Sequence, residues 1–176
     1  MSILAKIALG TTALVAMGST AMAADLMAPP PPAAAMTSDW TGGYIGVSGS
    51  LVAWPAPDQI GQIDIVAGAN LQTDMFLVGL QGWLGAYHDV NPNFTGWDGG
   101  AEGRIGFVAG SSAAVYGSLG VQAYSAGARY WTAGLGVEFM VSDSMSLDLE
   151  YKHLWQAAGG LPDGNSITGS LLWHFH

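Results

Sequence analysis

Residues 145–155 read MSLDLEYKHLW, and apolar and charged side chains alternate along them. One face of the alternation carries Leu147, Leu149, Tyr151 and Trp155, and the other carries Asp148, Glu150 and Lys152. A pattern of period two predicts a β-strand, because successive side chains of a strand point to opposite faces of the sheet. Since one face is apolar and the other charged, this strand is expected to separate an apolar environment from a polar one.

Seven further segments of the chain carry the same alternation, so we predict eight strands. Their approximate bounds are 40–53, 62–71, 75–87, 100–110, 114–124, 129–141, 145–155 and 166–176. Tight turns are expected at 72–74, 111–113 and 142–144, and longer connections at 54–61, 88–99, 125–128 and 156–165. Tight turns that alternate with longer loops are typical of an up-and-down antiparallel barrel in an outer membrane.

The charged side chains indicate which face of the sheet is outside. Seven of them lie within the strands: Asp64, Glu102, Arg104, Glu138, Asp148, Glu150 and Lys152. All seven fall opposite the apolar residues, on the face that also carries Gln81 and Gln122. A water-soluble barrel would have the reverse arrangement. We therefore predict an all-β, eight-stranded antiparallel up-and-down transmembrane β-barrel, whose polar lumen is lined by these nine residues.

The composition excludes several other classes. Only 10% of the 176 residues are charged, against about 25% in a soluble domain. The formal net charge of −9 argues against a nucleic-acid partner, because phosphates are neutralised by basic surfaces. The chain has no Cys, which removes disulfides and thiolate metal sites.

Tryptophans lie near the strand ends. We expect an interfacial aromatic belt formed by Trp40, Trp54, Trp131, Trp155 and Trp173, because indole rings favour the membrane–water interface. His153 and Tyr151 are expected to join Trp155 near lipopolysaccharide head groups.

Two segments precede the barrel, which we place at residues 40–176. Residues 1–23 are typical of a cleaved secretory signal peptide: Lys6 is followed by an apolar run, and Ala21-Met22-Ala23 forms a small-residue cleavage site. Residues 24–39 contain Pro29–Pro32 and have no hydrophobic period. Because proline has no N–H to donate, this segment is predicted to be an extended periplasmic spacer.

Together the signal, the AADL and PPPP spacer, the opening WTGGYIGV (40–47) and the closing WHF (173–175) resemble small outer-membrane β-barrel proteins of alphaproteobacteria, the porin-family or opacity-like barrels. The resemblance implies a protein surrounded by outer-membrane lipid and lipopolysaccharide. It also implies a C-terminal signal for the barrel-assembly machinery, carried by Leu171, Trp173 and Phe175. Here His176 follows the aromatic residue on which that family usually ends.

The resemblance further implies a role for the N-terminus. In relatives, mature chains that begin Ala-Asp are joined through the N-terminal amine to peptidoglycan peptides, and Ala24-Asp25 matches those two positions. We therefore favour a structural outer-membrane protein that supports envelope integrity, with attachment to peptidoglycan as a hypothesis.

Two other functions remain open. The surplus of five carboxylates over two cations among the seven charged residues favours a narrow, cation-preferring channel. A surface adhesin or receptor would use the loops at 54–59, 91–97 and 157–165. No enzyme is expected, because no Ser lies near His153 in its strand. We expect no cofactor and no metal, since His174 and His176 suit weak chelation at best.

Overall fold

The computed structural model describes residues 39–55, 59–89, 94–157 and 160–175, which form a closed barrel of eight antiparallel strands. The strands are β1 (Gly42–Ala53), β2 (Gln59–Thr73), β3 (Phe76–Asp89), β4 (Phe94–Ala109), β5 (Ala113–Tyr124), β6 (Arg129–Ser142), β7 (Met145–Gln156) and β8 (Gly164–Phe175). Each strand pairs with its neighbours in sequence, and β8 closes on β1. The predicted fold class is confirmed.

Apolar side chains cover the outer surface of the barrel. Leu51, Ile63, Leu80, Leu119 and Leu135 are each 71–74% exposed, although they lie within regular strands. The seven charged residues predicted for the lumen are all buried inside. Polar groups inside and aliphatic groups outside are what a membrane-spanning barrel requires.

The strands extend further toward the loop end than the sequence indicated. The connection predicted at 88–99 is too long, because residues 94–99 belong to β4 and pair with β3 from Asp89↔Phe94 to Leu84↔Gly99. The glycines and Asp98 in this stretch have low strand propensity. Pairing with β3 supplies their backbone hydrogen bonds and outweighs that preference.

Several predictions lie outside the described residues. They concern the signal peptide, nearly all of the spacer with Ala24 and Asp25, the final His176, and the loop segments 56–58, 90–93 and 158–159. None of the described residues forms a helix long and apolar enough to cross a membrane.

Candidate functional site

Arg104 on β4 is the centre of a buried ion cluster inside the barrel. Its Nη2 lies 3.1 Å from Glu138 Oε2 on β6 and 3.0 Å from Asp148 Oδ2 on β7. Glu138 and Asp148 are directly opposite each other in the β6–β7 register. Facing carboxylates repel, so the guanidinium supplies the charge that allows both to be buried there.

Two tyrosines and Gln81 also contact Arg104. Arg104 Nη1 donates to Tyr44 Oη at 3.0 Å, and the Tyr116 ring lies 3.7 Å from the guanidinium carbon. Tyr116 also donates its hydroxyl proton to Asp148 Oδ2 at 2.7 Å. Gly136 faces Tyr116 across the β5–β6 pair, where any Cβ would collide with the tyrosine ring. The absence of a side chain at this position therefore makes room for the ring.

A second cluster is centred on Lys152 of β7. Its Nζ lies 2.6 Å from Glu102 Oε2 and 3.1 Å from Glu150 Oε2. The ammonium also lies 4.3 Å from the centroid of the Trp83 ring, a cation–π distance. Ser118 donates to Glu150 at 2.5 Å. Each of the two buried cations thus forms ion pairs with two carboxylates and a cation–π contact with one aromatic ring.

A third polar layer contains Asp98, which the sequence analysis assigned to a loop. Asp98 is fully buried, and its Oδ2 accepts hydrogen bonds from Gln62 Nε2 at 2.9 Å and Gln122 Nε2 at 3.1 Å. Its Oδ1 has no hydrogen-bond partner among the described residues. Extending the period-two phase of Glu102 and Arg104 backward by two steps would have placed Asp98 inside.

The interior around these layers is filled by side chains. All nine residues predicted to line the lumen lie on the inward face, with Gln81 only half-buried. A space lined by Ser48, Asp64, Gln122, Lys152 and neighbouring polar residues measures about 20 Å³, which is room for about one water molecule. Side-chain filling is expected for a barrel of eight strands.

Trp40 is not part of an outer belt, contrary to our prediction. It is fully buried at the turn end, where it packs with Leu77 and Ala114. Its ring meets that of His174 edge-on at 6.0 Å, and its backbone N–H donates to Gln72 Oε1 at 3.1 Å. Trp40, two residues before β1, thus folds into the barrel end and closes it, because this position shares the inward phase of Tyr44.

His174 lies inside as well, on the inward face of β8. Its Nε2 is 2.8 Å from Ser146 Oγ and 3.1 Å from Glu138 Oε1. The ring therefore extends the Arg104 cluster toward Trp40. Within the described ranges, no group of three or more His, Asp or Glu side chains is arranged to hold a metal ion.

Trp54 also differs from the prediction. It is partly buried and faces an aromatic cluster inside the loop end, with ring centroids 6.3 Å from Tyr124 and 6.0 Å from Tyr130. Like Trp40, it has the inward phase of β1, so burial in the barrel mouth outweighs a place at the interface.

Three predicted belt residues do lie on the outer surface. Trp131, Trp155 and Trp173 are 60%, 44% and 50% exposed. His153 points outward beside Trp155, with ring centroids 4.6 Å apart, and its Nδ1 is 2.8 Å from Asn165 Oδ1.

The three residues predicted as the assembly signal, Leu171, Trp173 and Phe175, share the outward face of β8. This arrangement presents a continuous apolar face at the C-terminal strand.

The sequence matches no family model and no curated protein. Among solved structures, the fold is similar to Neisserial surface protein A, with 10% identity, 78% of this chain and 98% of that chain covered, and a TM-score of 0.53. The N-terminal β-barrel domain of Pseudomonas aeruginosa OprF is 13% identical, with 75% of this chain and 97% of that chain covered and a TM-score of 0.55. The attachment invasion locus protein Ail of Yersinia pestis is 14% identical, with 76% of this chain and 96% of that chain covered and a TM-score of 0.50. At identities this low, the similarity shows a shared fold alone.

Proposed function

We propose that this chain is a structural, non-conducting barrel of a Gram-negative outer membrane that supports the envelope and is joined to peptidoglycan through its mature N-terminus. The observation that carries the proposal is the interior, where two ion clusters and a polar layer occupy the lumen between the aromatic cluster at the loop end and the buried Trp40 at the turn end. Because the side chains of the described residues fill this interior, we infer that it supports a closed barrel without a continuous path for solutes.

The location follows from the outer surface together with the fold. Aliphatic side chains on every strand would be exposed to water in any soluble compartment, and closed barrels are the β-structures that bury all backbone polar groups in lipid. The solved structures of similar fold include the Yersinia pestis outer membrane protein Ail. We propose export by a cleaved signal at residues 1–23, insertion by the barrel-assembly machinery and contact of the loop end with lipopolysaccharide.

The non-conducting character can be tested in planar lipid bilayers. We expect the purified full-length barrel to give no discrete conductance steps, while a general porin inserted into the same lipid gives them. The channel hypothesis predicts cation-selective steps that disappear in Glu138→Gln or Asp148→Asn, the carboxylates bound by Arg104. Such steps would contradict the structural role.

The peptidoglycan link is supported by the way the chain enters the barrel. Trp40 and Thr41 anchor the entry at the turn end, since Gln72 accepts from the Trp40 N–H and donates its own N–H to Thr41 Oγ1 at 3.1 Å. Short turns lie on the periplasmic side in outer-membrane barrels. Residues 24–39, if extended as polyproline II at about 3.1 Å per residue, would reach on the order of 50 Å from that side.

Mass spectrometry of sacculi tests the link. Sacculi from cells that make the protein are boiled in detergent and digested with muramidase and trypsin. We expect a stem peptide joined to the amine of Ala24. Asp25→Ala should reduce this product strongly, because it removes one of the two residues in the attachment sequence. Asp39→Ala, the same change at the other end of the spacer, should leave it unchanged. Finding only a free Ala24 amine in the membrane fraction would refute the tether.

A further inference from the structure

A cavity of about 350 Å³ opens at the loop end of the barrel and is separate from the ion clusters. Its lining includes Trp54, Ile60, Tyr87, Tyr124, Tyr130 and Leu161. The tyrosine rings meet edge to face, at 5.1 Å for Tyr87–Tyr124 and 5.9 Å for Tyr124–Tyr130. The cavity is within the size range of small-molecule sites, and its wall is mostly apolar, with four aromatic side chains among ten lining residues.

Two carboxyl groups lie at or near this aromatic cavity. Asp89 lines it. Asp98 is linked to the cavity wall through Gln62, whose amide nitrogen donates both to Tyr124 Oη at 3.2 Å and to Asp98 Oδ2 at 2.9 Å. No described Lys, Arg or His nitrogen lies within ion-pair distance of Asp98, although that carboxylate is fully buried.

Neither of the two buried cations pairs with Asp98. Arg104 and Lys152 are each bound to two carboxylates in the deeper layers. Arg129 lies at the same end as the cavity but is exposed on the outward face of β6. A buried carboxylate without a counter-charge is costly, so a positively charged ligand above Asp98 would lower the free energy of the site.

Aromatic faces select among positively charged ligands. The π-face of Trp or Tyr carries partial negative charge and attracts ammonium groups whose hydration is weak. A metal ion would instead need several oxygen ligands, and no such group exists among the described residues. We propose that the loop-end cavity binds a small organic cation that bears a quaternary or methylated ammonium group.

Choline and its uncharged isostere 3,3-dimethylbutan-1-ol provide the test, because they share a shape and differ in charge. The full-length barrel, with ¹⁵N-labelled tryptophan, is titrated in dodecyl maltoside micelles, since phosphocholine detergents would compete. We expect choline to shift the Trp54 indole signal saturably and to bind about tenfold more tightly than the alcohol, as 1.4 kcal/mol of cation–π and charge attraction implies. Equal binding of the two compounds to the wild-type protein, or no binding of choline, would by itself overturn the proposal.

Variants identify the groups responsible. Asp98→Asn removes the charge at constant size and should weaken choline binding several-fold while leaving the alcohol unchanged. Trp54→Ala should weaken both ligands, because it removes a wall of the cavity. Trp131→Ala serves as the matched control, since that indole lies outside the barrel at the same end. If folded Asp98→Asn protein, checked by its heat-dependent gel mobility, binds choline as the wild type does, the proposed charge attraction is wrong.

Discussion

Replacing Arg104 by Met is expected to lower the free energy of unfolding by about 3–5 kcal/mol, the usual effect of removing one partner from a buried ion pair. Methionine fills part of the space left by the guanidinium but leaves Glu138 and Asp148 facing each other without a counter-charge. Tyr44 and Tyr116 lose their contact with the cation at the same time. The measurement is urea-induced unfolding in phospholipid vesicles, followed by tryptophan fluorescence.

Two further proteins make this prediction specific. Arg129→Met removes an exposed arginine from the same barrel and should change stability by about 0.5 kcal/mol or less. The triple variant Arg104→Met, Glu138→Gln, Asp148→Asn should recover most of the lost stability, because the uncompensated charges are gone. If Arg104→Met unfolds at the same urea concentration as Arg129→Met, the central ion cluster does not stabilise the barrel.

Trp40→Ala is the second substitution with a large expected effect. Loss of a fully buried tryptophan costs about 3–5 kcal/mol in other proteins, and here the ring packs with Leu77 and Ala114 beside His174. We expect a matching fall in unfolding free energy. We also expect protease to cut the N-terminal segment closer to β1, because the anchor at the barrel end is lost. Both are measured on protein reconstituted in vesicles.

Trp173→Ala is the matched control for this change. Trp173 lies one residue from His174 on the same strand end but points outward, where it is half exposed. The Trp173→Ala protein should lose less unfolding free energy than Trp40→Ala and should show the protease pattern of the wild type. An identical response of the two variants would mean that Trp40 contributes only general apolar area and does not close the barrel end.

The alternation of side chains was sufficient to predict the fold and most of the interior. Period two fixes which side of a strand each residue occupies, so Glu102, Arg104 and Lys152 could be placed inside before any pairing was known. The prediction was wrong at Trp40 and Trp54, where position near a strand end was used and the period-two phase was not. Both were assigned to a belt because they lie near strand ends, although their phase on β1 is that of the buried Tyr44 and Val52.

The partners of the buried charges could not be predicted in the same way. Arg104 on β4 meets Glu138 on β6 and Asp148 on β7 across the lumen, so these contacts depend on the closure and stagger of the whole barrel. Asp98 was missed for a local reason, since the glycines around it are typical of a loop. The aromatic cavity likewise exists only because the ends of β1, β2, β3, β5 and β6 converge.

The distribution of the ion pairs bears on how the protein is made. In the first half of the barrel, β1 to β4, Arg104 binds acids that are contributed by β6 and β7. In the second half, Lys152 reaches back to Glu102 on β4. Each half therefore holds a cation that neutralises carboxylates of the other, and β8 must arrive before β1 has its second neighbour. We therefore expect neither half to be stable in lipid alone, and the barrel to insert as a unit only after the last strand has been exported.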